Sequence, residues 1–148
     1  MFSFAILVLI MVACGAMIAA QAPTNAILSR AVGSPVNAAF VSILLSLVIM
    51  SIAALVGRTR PDVTLVRAMP WYAWTGGVYG AAYVLAMIVC APRLGLAPAV
   101  TLLITGQVAA AVVIDHFGLF GLPKEPVTLW KLAGVAMVVG GMLVARRT

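Results

Sequence analysis

The stretch VNAAFVSILLSLVIMSIAALV fills residues 36–56, and GRTRPD follows it from residue 57. No charge interrupts the first segment, and two arginines arrive as soon as it ends. Such a run is apolar on every side of a helix, the pattern of a segment surrounded by lipid. Lipid offers no hydrogen-bond partners to open strand edges, so the spanning element is a helix.

Working outward from residues 36–56, four more stretches carry the same signature. Spans are expected at about residues 4–28, 36–56, 71–91, 97–120 and 129–145. Their breaks are Gly33-Ser34-Pro35, the long polar connector from Gly57 to Pro70, Pro92-Arg93-Leu94-Gly95, and Gly121 to Pro126 with two prolines. Pro23 is expected to bend the first span late. The composition agrees: the chain has 148 residues, of which 65% are hydrophobic and 8% charged. A soluble domain of that size needs far more polar surface. The fold class is therefore an all-α membrane protein, a single transmembrane domain over 1–148 with five transmembrane helices.

A net charge of +6 would suggest nucleic acid in a soluble protein. Here the nine Lys and Arg residues sit in connectors and at the C-terminus, where they read as topology signals and headgroup anchors. Cys14 and Cys90 lie in apolar surroundings with no partner spacing, so neither a disulfide framework nor a metal site is indicated. Met11-Val12-Ala13-Cys14 loosely imitates a lipoprotein cleavage site. No basic residue precedes the apolar run and the run continues past the cysteine, so a retained span is expected.

The basic residues fall almost evenly on the two sides of five spans. One side holds Arg58, Arg60, Arg67, Lys124 and Lys131; the other holds Arg30, Arg93, Arg146 and Arg147. Orientation follows an excess of Lys and Arg on one side, and a difference of one is hardly an excess. Dual topology and an antiparallel homodimer follow as an expectation, against a fixed topology set by Arg58, Arg60 and Arg67. Trp71, Trp74 and Trp130 all fall on the first of these sides, and an antiparallel pair would restore an aromatic belt at each interface.

Specific segments, taken together, resemble a known family. They are Gln21-Ala-Pro-Thr-Asn25, the Gly33-Ser-Pro break, Pro70-Trp71 before Gly76-Gly77, Ala91-Pro92-Arg93-Leu94-Gly95, Gly106-Gln107 and Asp115-His116-Phe117-Gly118-Leu119-Phe120-Gly121. Their order is similar to that of the YdcZ-type family, a five-span branch of the drug/metabolite transporter superfamily described as inner-membrane exporters. The resemblance implies a multi-pass protein of the bacterial inner membrane. It also implies members that act as antiparallel homodimers, as paired proteins or as fused ten-span chains; this unfused, nearly balanced chain looks like the homodimer type.

Candidate pathway residues come from polar groups inside the spans. Gln21 and Asn25 stand four apart on one helical face, with Ser29 continuing the stripe. Amides in lipid face the protein interior or a watery cavity, and interhelical glue is the competing reading. Tyr79 and Tyr83 share the same spacing and could wall a cavity, against a role in ordinary packing. Thr101 and Thr105 share a face of the fourth span, but threonine hydroxyls can satisfy themselves on their own helix. Gln107 points elsewhere and is the stronger candidate. The substrate-binding set is thus Gln21, Asn25, Tyr79, Tyr83, Thr105 and Gln107.

An intramembrane acid is costly, which makes Asp115 the default coupling group, with His116 beside it titrating near neutral pH. The alternative has Asp115 at headgroup depth, holding an arginine or a helix end. Inverting a second protomer would bring its Arg93 to the depth of Asp115, the arrangement that a bridge between chains requires. The first span has no central acid, so a neutral or mixed-charge substrate is expected over a strongly cationic one. Ala136 and Gly140 form a small-xxx-small pair suited to dimer packing. One histidine, no metal cluster and no nucleophile with a base exclude a recognisable enzyme and imply no cofactor.

The expected function is small-molecule export by alternating access, in which a two-fold axis in the membrane plane makes the two open states equivalent. The competing class is a non-transporting membrane partner that regulates another protein.

Overall fold

The computed structural model describes residues 3–145, and every regular element among them is helical. Arg146 and Arg147, counted above for topology, lie outside the described residues. The chain divides into two compact units, one up to Pro92 and one from Arg93 onward.

In the first unit, α1 runs Phe4–Ala31 and α2 runs Pro35–Val56. Pro23 lies inside α1, and the helix continues past it to Ala31, beyond the expected end at Leu28. The break between α1 and α2 is built by three adjacent residues. Gly33 adopts a left-handed φ of 80°, which a side chain disfavours. Ser34 caps α2 by accepting the Asn37 N–H at 3.0 Å, and Pro35 opens the helix where its missing N–H does no harm. Asn37 closes the turn from the other side, its Nδ2 donating to the Val32 carbonyl at 3.0 Å.

The polar connector is not structureless. It contains a short helix, α3 (Val63–Ala68), capped by Asp62, which accepts the Thr64 N–H at 2.9 Å, the Leu65 N–H at 3.4 Å and the Thr64 hydroxyl. A 3-10 turn, Trp71–Thr75, then leads into α4 (Gly76–Leu94). Pro92 does not stop α4. Gly95, with a φ of 89°, is the residue that stops it.

The core of this unit joins Ala38 and Ala39 of α2 to Val84 and Ile88 of α4, with Leu28, Val32, Tyr83 and Leu85 packed against them. The small alanines leave room on α2 for the larger side chains of α4 to pack against it. The large aliphatics go outward: Leu47 is 61% exposed and Leu55 is 78% exposed. In water such a surface would aggregate; toward lipid it is the stable arrangement.

In the second unit, α5 spans Leu96–Phe117 and α6 spans Leu129–Ala145. α5 ends at Phe117, short of the expected Phe120, because Gly118 turns left-handed with a φ of 62°. A Cβ there would stand 2.6 Å from the Lys124 side chain and 2.9 Å from the Leu122 carbonyl, so only glycine fits. A 3-10 turn, Leu119–Gly121, follows, and the connector then folds back so that the Glu125 N–H donates to the Asp115 carbonyl at 2.8 Å.

Four helical segments are long and apolar enough to cross a membrane: Phe4–Ala31, Pro35–Val56, Trp71–Leu94 and Leu96–Phe117. The fifth expected span is shorter. α6 has 17 residues, about 25 Å at 1.5 Å per residue, the lower edge of what crosses the hydrocarbon.

Candidate functional site

In the first unit, Asn25 is the one polar residue buried among the described residues. Its Nδ2 donates to the hydroxyl of Ser42 on α2 at 3.3 Å, so it ties α1 to α2 through a polar contact inside apolar surroundings. Leu28, one turn further along α1, packs on the cluster that also holds Tyr83. Tyr83 is half-buried, and its hydroxyl oxygen is enclosed with no hydrogen-bond partner among the described residues. A buried polar group without a partner is rare in folded proteins and calls for an explanation.

Other predicted residues of this unit stand differently. Gln21 lies on a shallow groove along α1 with Met17, Ile18, Ala20 and Thr24, its amide open to whatever enters. Ser29, on the same stripe, spends its hydroxyl on the Ala26 carbonyl at 2.9 Å. Tyr79 is 63% exposed, one turn before Tyr83 and outside the buried cluster.

In the second unit, a cleft of about 390 Å³ runs between α5 and α6. Val108, Ala111, Val112 and Asp115 line it from α5, and Lys131, Gly134, Val135 and Val138 line it from α6. Both sets follow the spacing of one helical stripe, so the sequence builds a single apolar seam closed at one end by charge. Lys131 Nζ holds Glu125 Oε2 at 2.8 Å. The ammonium beside it keeps the Glu125 carboxyl below the usual carboxylate range. The Asp115 backbone carbonyl meanwhile anchors the connector, leaving its side chain to the cleft.

His116 makes two contacts at the end of α5. Its Nδ1 accepts the Val127 N–H at 3.3 Å, and its ring meets Phe117 edge-on at 4.8 Å. Through that bond the histidine fastens the connector to the end of α5. Thr101 and Thr105 donate to the Ala97 and Thr101 carbonyls at 2.7 and 2.8 Å, leaving only their lone pairs for a ligand. Gln107 is exposed on α5, away from the α6 seam. Ala136 and Gly140 are exposed as well; α6 meets α5 with a different face and leaves theirs uncovered.

Two participants were not read as site residues from sequence. Ser42 is a lone hydroxyl in an apolar run, and only the turn at Gly33 brings it against Asn25. Lys131 counted as a topology charge, yet it lines the cleft with Asp115. Its spacing of three and four to Gly134 and Val135 was the available signal.

A family model described as "Putative inner membrane exporter, YdcZ" matches residues 6–144. The match covers nearly the whole chain, and the chain belongs to that family of the inner membrane. No curated protein and no solved structure matches it.

Proposed function

We propose that this member of the inner-membrane exporter family moves a small, neutral or mixed-charge molecule by alternating access, as an antiparallel homodimer. The observation that carries the reading is the enclosed, unpartnered hydroxyl of Tyr83 in the packed heart of the first unit. A polar donor without a partner in apolar packing is destabilising to the empty protein and useful to one that binds a polar solute there. Asn25, held by Ser42, and Gln21, open on α1, are the amides that would share such a solute.

The near-even basic residues support two inserted orientations, and the uncovered Ala136–Gly140 face is the surface on which a second chain would pack. The reading assigns no enzymatic step and no cofactor. Asp115, which lines the α5–α6 cleft along with Lys131, is the proposed coupling group.

The test is flux through the protein alone. A thermal-shift screen first finds a stabilising solute, and purified chain in liposomes is then assayed for its uptake and release. Flux abolished by Asn25→Ala with the fold intact supports the reading. A protein that binds no solute and passes none is a non-transporting partner instead.

A further inference from the structure

The C-terminal end of α2 carries an arrangement that the exporter reading does not use. A cleft of about 610 Å³ is lined by Ser51, Ala54, Leu55, Arg58, Thr59 and Arg60. Two guanidiniums border it within three residues of chain. Neither has a carboxylate in ion-pair range, since the one ion pair among the described residues is Lys131–Glu125. Asp62, the acid nearest in sequence, is turned to capping α3 through Thr64 and Leu65.

The backbone at this point is also unusual. The Thr59 N–H reaches back to the Ala54 carbonyl and the Arg58 N–H to the Leu55 carbonyl, both at 3.1 Å. This pair of bonds is the Schellman closure of a helix, whose left-handed residue is ordinarily glycine. Here that residue is Arg58, with a φ of 49°, while the glycine sits one position earlier at 57. An arginine kept where its Cβ is disfavoured is a position where the side chain has work that glycine cannot do.

The remaining lining shows what that work is. Ser51 and Thr59 spend their hydroxyls on the Leu47 and Ala54 carbonyls, so the guanidiniums are the free donors. Guanidinium donors match phosphate oxygens in a bidentate fork. The wall is apolar, and Leu55 and Val56 are 78% and 80% exposed, offering a track for acyl chains. Trp71 and Trp74, exposed at the start of the next membrane helix, follow the same connector, as interfacial anchors do.

We propose that this cleft binds the phosphate of an anionic phospholipid headgroup, gripped by Arg58 and Arg60, with the lipid tails along the outer face of α2. Juxtamembrane arginine clusters attract anionic lipids in general; the strained arginine and the paired guanidiniums make this one a defined site.

The experiment is native mass spectrometry of the full purified chain from mixed bilayers of phosphatidylglycerol and phosphatidylcholine, with thermal midpoints measured in each lipid alone. The wild type is expected to retain phosphatidylglycerol in preference. Arg58→Gln with Arg60→Gln should lower that retention at least about tenfold, the lower end of the worth of one charge-assisted bond, while Arg67→Gln leaves it unchanged. Arg58→Gly separates binding from folding, because it relieves the left-handed residue. It should hold or raise the midpoint in phosphatidylcholine and still lose phosphatidylglycerol. Equal retention by the double variant or by Arg58→Gly would overturn the site. Inorganic phosphate raising the wild-type midpoint as far as phosphatidylglycerol does would also overturn the lipid assignment, giving the cleft to free phosphate.

Discussion

Replacing Tyr83 with phenylalanine deletes one oxygen and leaves the ring in its packing against the Ala38–Ala39–Val84–Ile88 cluster. The hydroxyl it removes is enclosed and unpartnered, so the change relieves a desolvation penalty without breaking a bond. Orphaned buried polar groups cost about 1–3 kcal/mol. Tyr83 is only half-buried as a residue, which favours the lower end of that range. At 1.4 kcal/mol per tenfold, the folded-to-unfolded ratio should rise by roughly 5-fold, with 150-fold as the ceiling. The same substitution removes a hydrogen bond to a solute, worth about 0.5–1.5 kcal/mol, so affinity should weaken roughly 2- to 12-fold. Opposite signs for stability and binding are the fingerprint of a ligand donor. The assay is reversible unfolding in mixed micelles, followed by solute titration against the thermal midpoint. A Tyr83→Phe protein that is less stable than wild type refutes the reasoning, because the hydroxyl would then have a structural partner, in a second chain or in water.

Three further outcomes follow from the same residues. A single cysteine at position 148, in a chain with Cys14 and Cys90 replaced, should be labelled partly from each membrane face; labelling from one face alone would end the dual-topology reading. Gln21→Ala and Gln107→Ala should each abolish flux while the dimer still assembles, and loss of the dimer in both would make these amides interhelical glue. The Thr64 hydroxyl and the N–H groups of Thr64 and Leu65 hold the Asp62 carboxyl below its ordinary range, as Lys131 does for Glu125. Depressed carboxyl pKa values stabilise the fold above the ordinary range and lose that contribution as pH falls, so α3 and the Glu125–Lys131 tie should hold at neutral pH and loosen below about pH 4. Amide shifts of Thr64 and Leu65 across an acid titration will report this, and loosening at rising pH would contradict it.

Helix placement was legible because lipid imposes a simple rule: apolar runs stay helical until a residue offers a reason to stop. Ser34, with Pro35 after it and Gly33 before it, is such a reason, and the break falls where the residues put it. Pro92 misled for a physical cause. A proline removes one hydrogen bond but does not forbid the following turn, whereas Gly95 adopts a φ that terminates the helix. The same holds for Phe120, which reads as membrane yet lies past the left-handed Gly118. Asn25 was legible as an inward-facing amide because an unpaired amide in lipid is too costly. Its partner Ser42 was not, because a serine on an apolar helix can satisfy itself, as Ser46 does on the Ser42 carbonyl and Ser51 on Leu47. Only the register of α1 against α2 decides which hydroxyl is used between helices.

Asp115 shows how folding can bring a cation into the same cleft as a position that the sequence marks as costly. It lies in the last turn of α5, where the helix dipole presents its negative end and an anion is least welcome. The floor beside it is Val108, Ala111 and Val112, which solvate no charge. A carboxylate placed against both effects needs a cation, and the sequence suggested Arg93 of an inverted second chain. The α5–α6 cleft holds a second candidate in the same chain, since Lys131 lines it along with Asp115 while its ammonium pairs with Glu125 at 2.8 Å. The lysine pairs with one acid, the exposed Glu125, while a second, Asp115, lines the same cleft, and exposed pairs such as the first are weakly held. A move of the ammonium from Glu125 to Asp115 would shift positive charge from the water edge into the apolar seam.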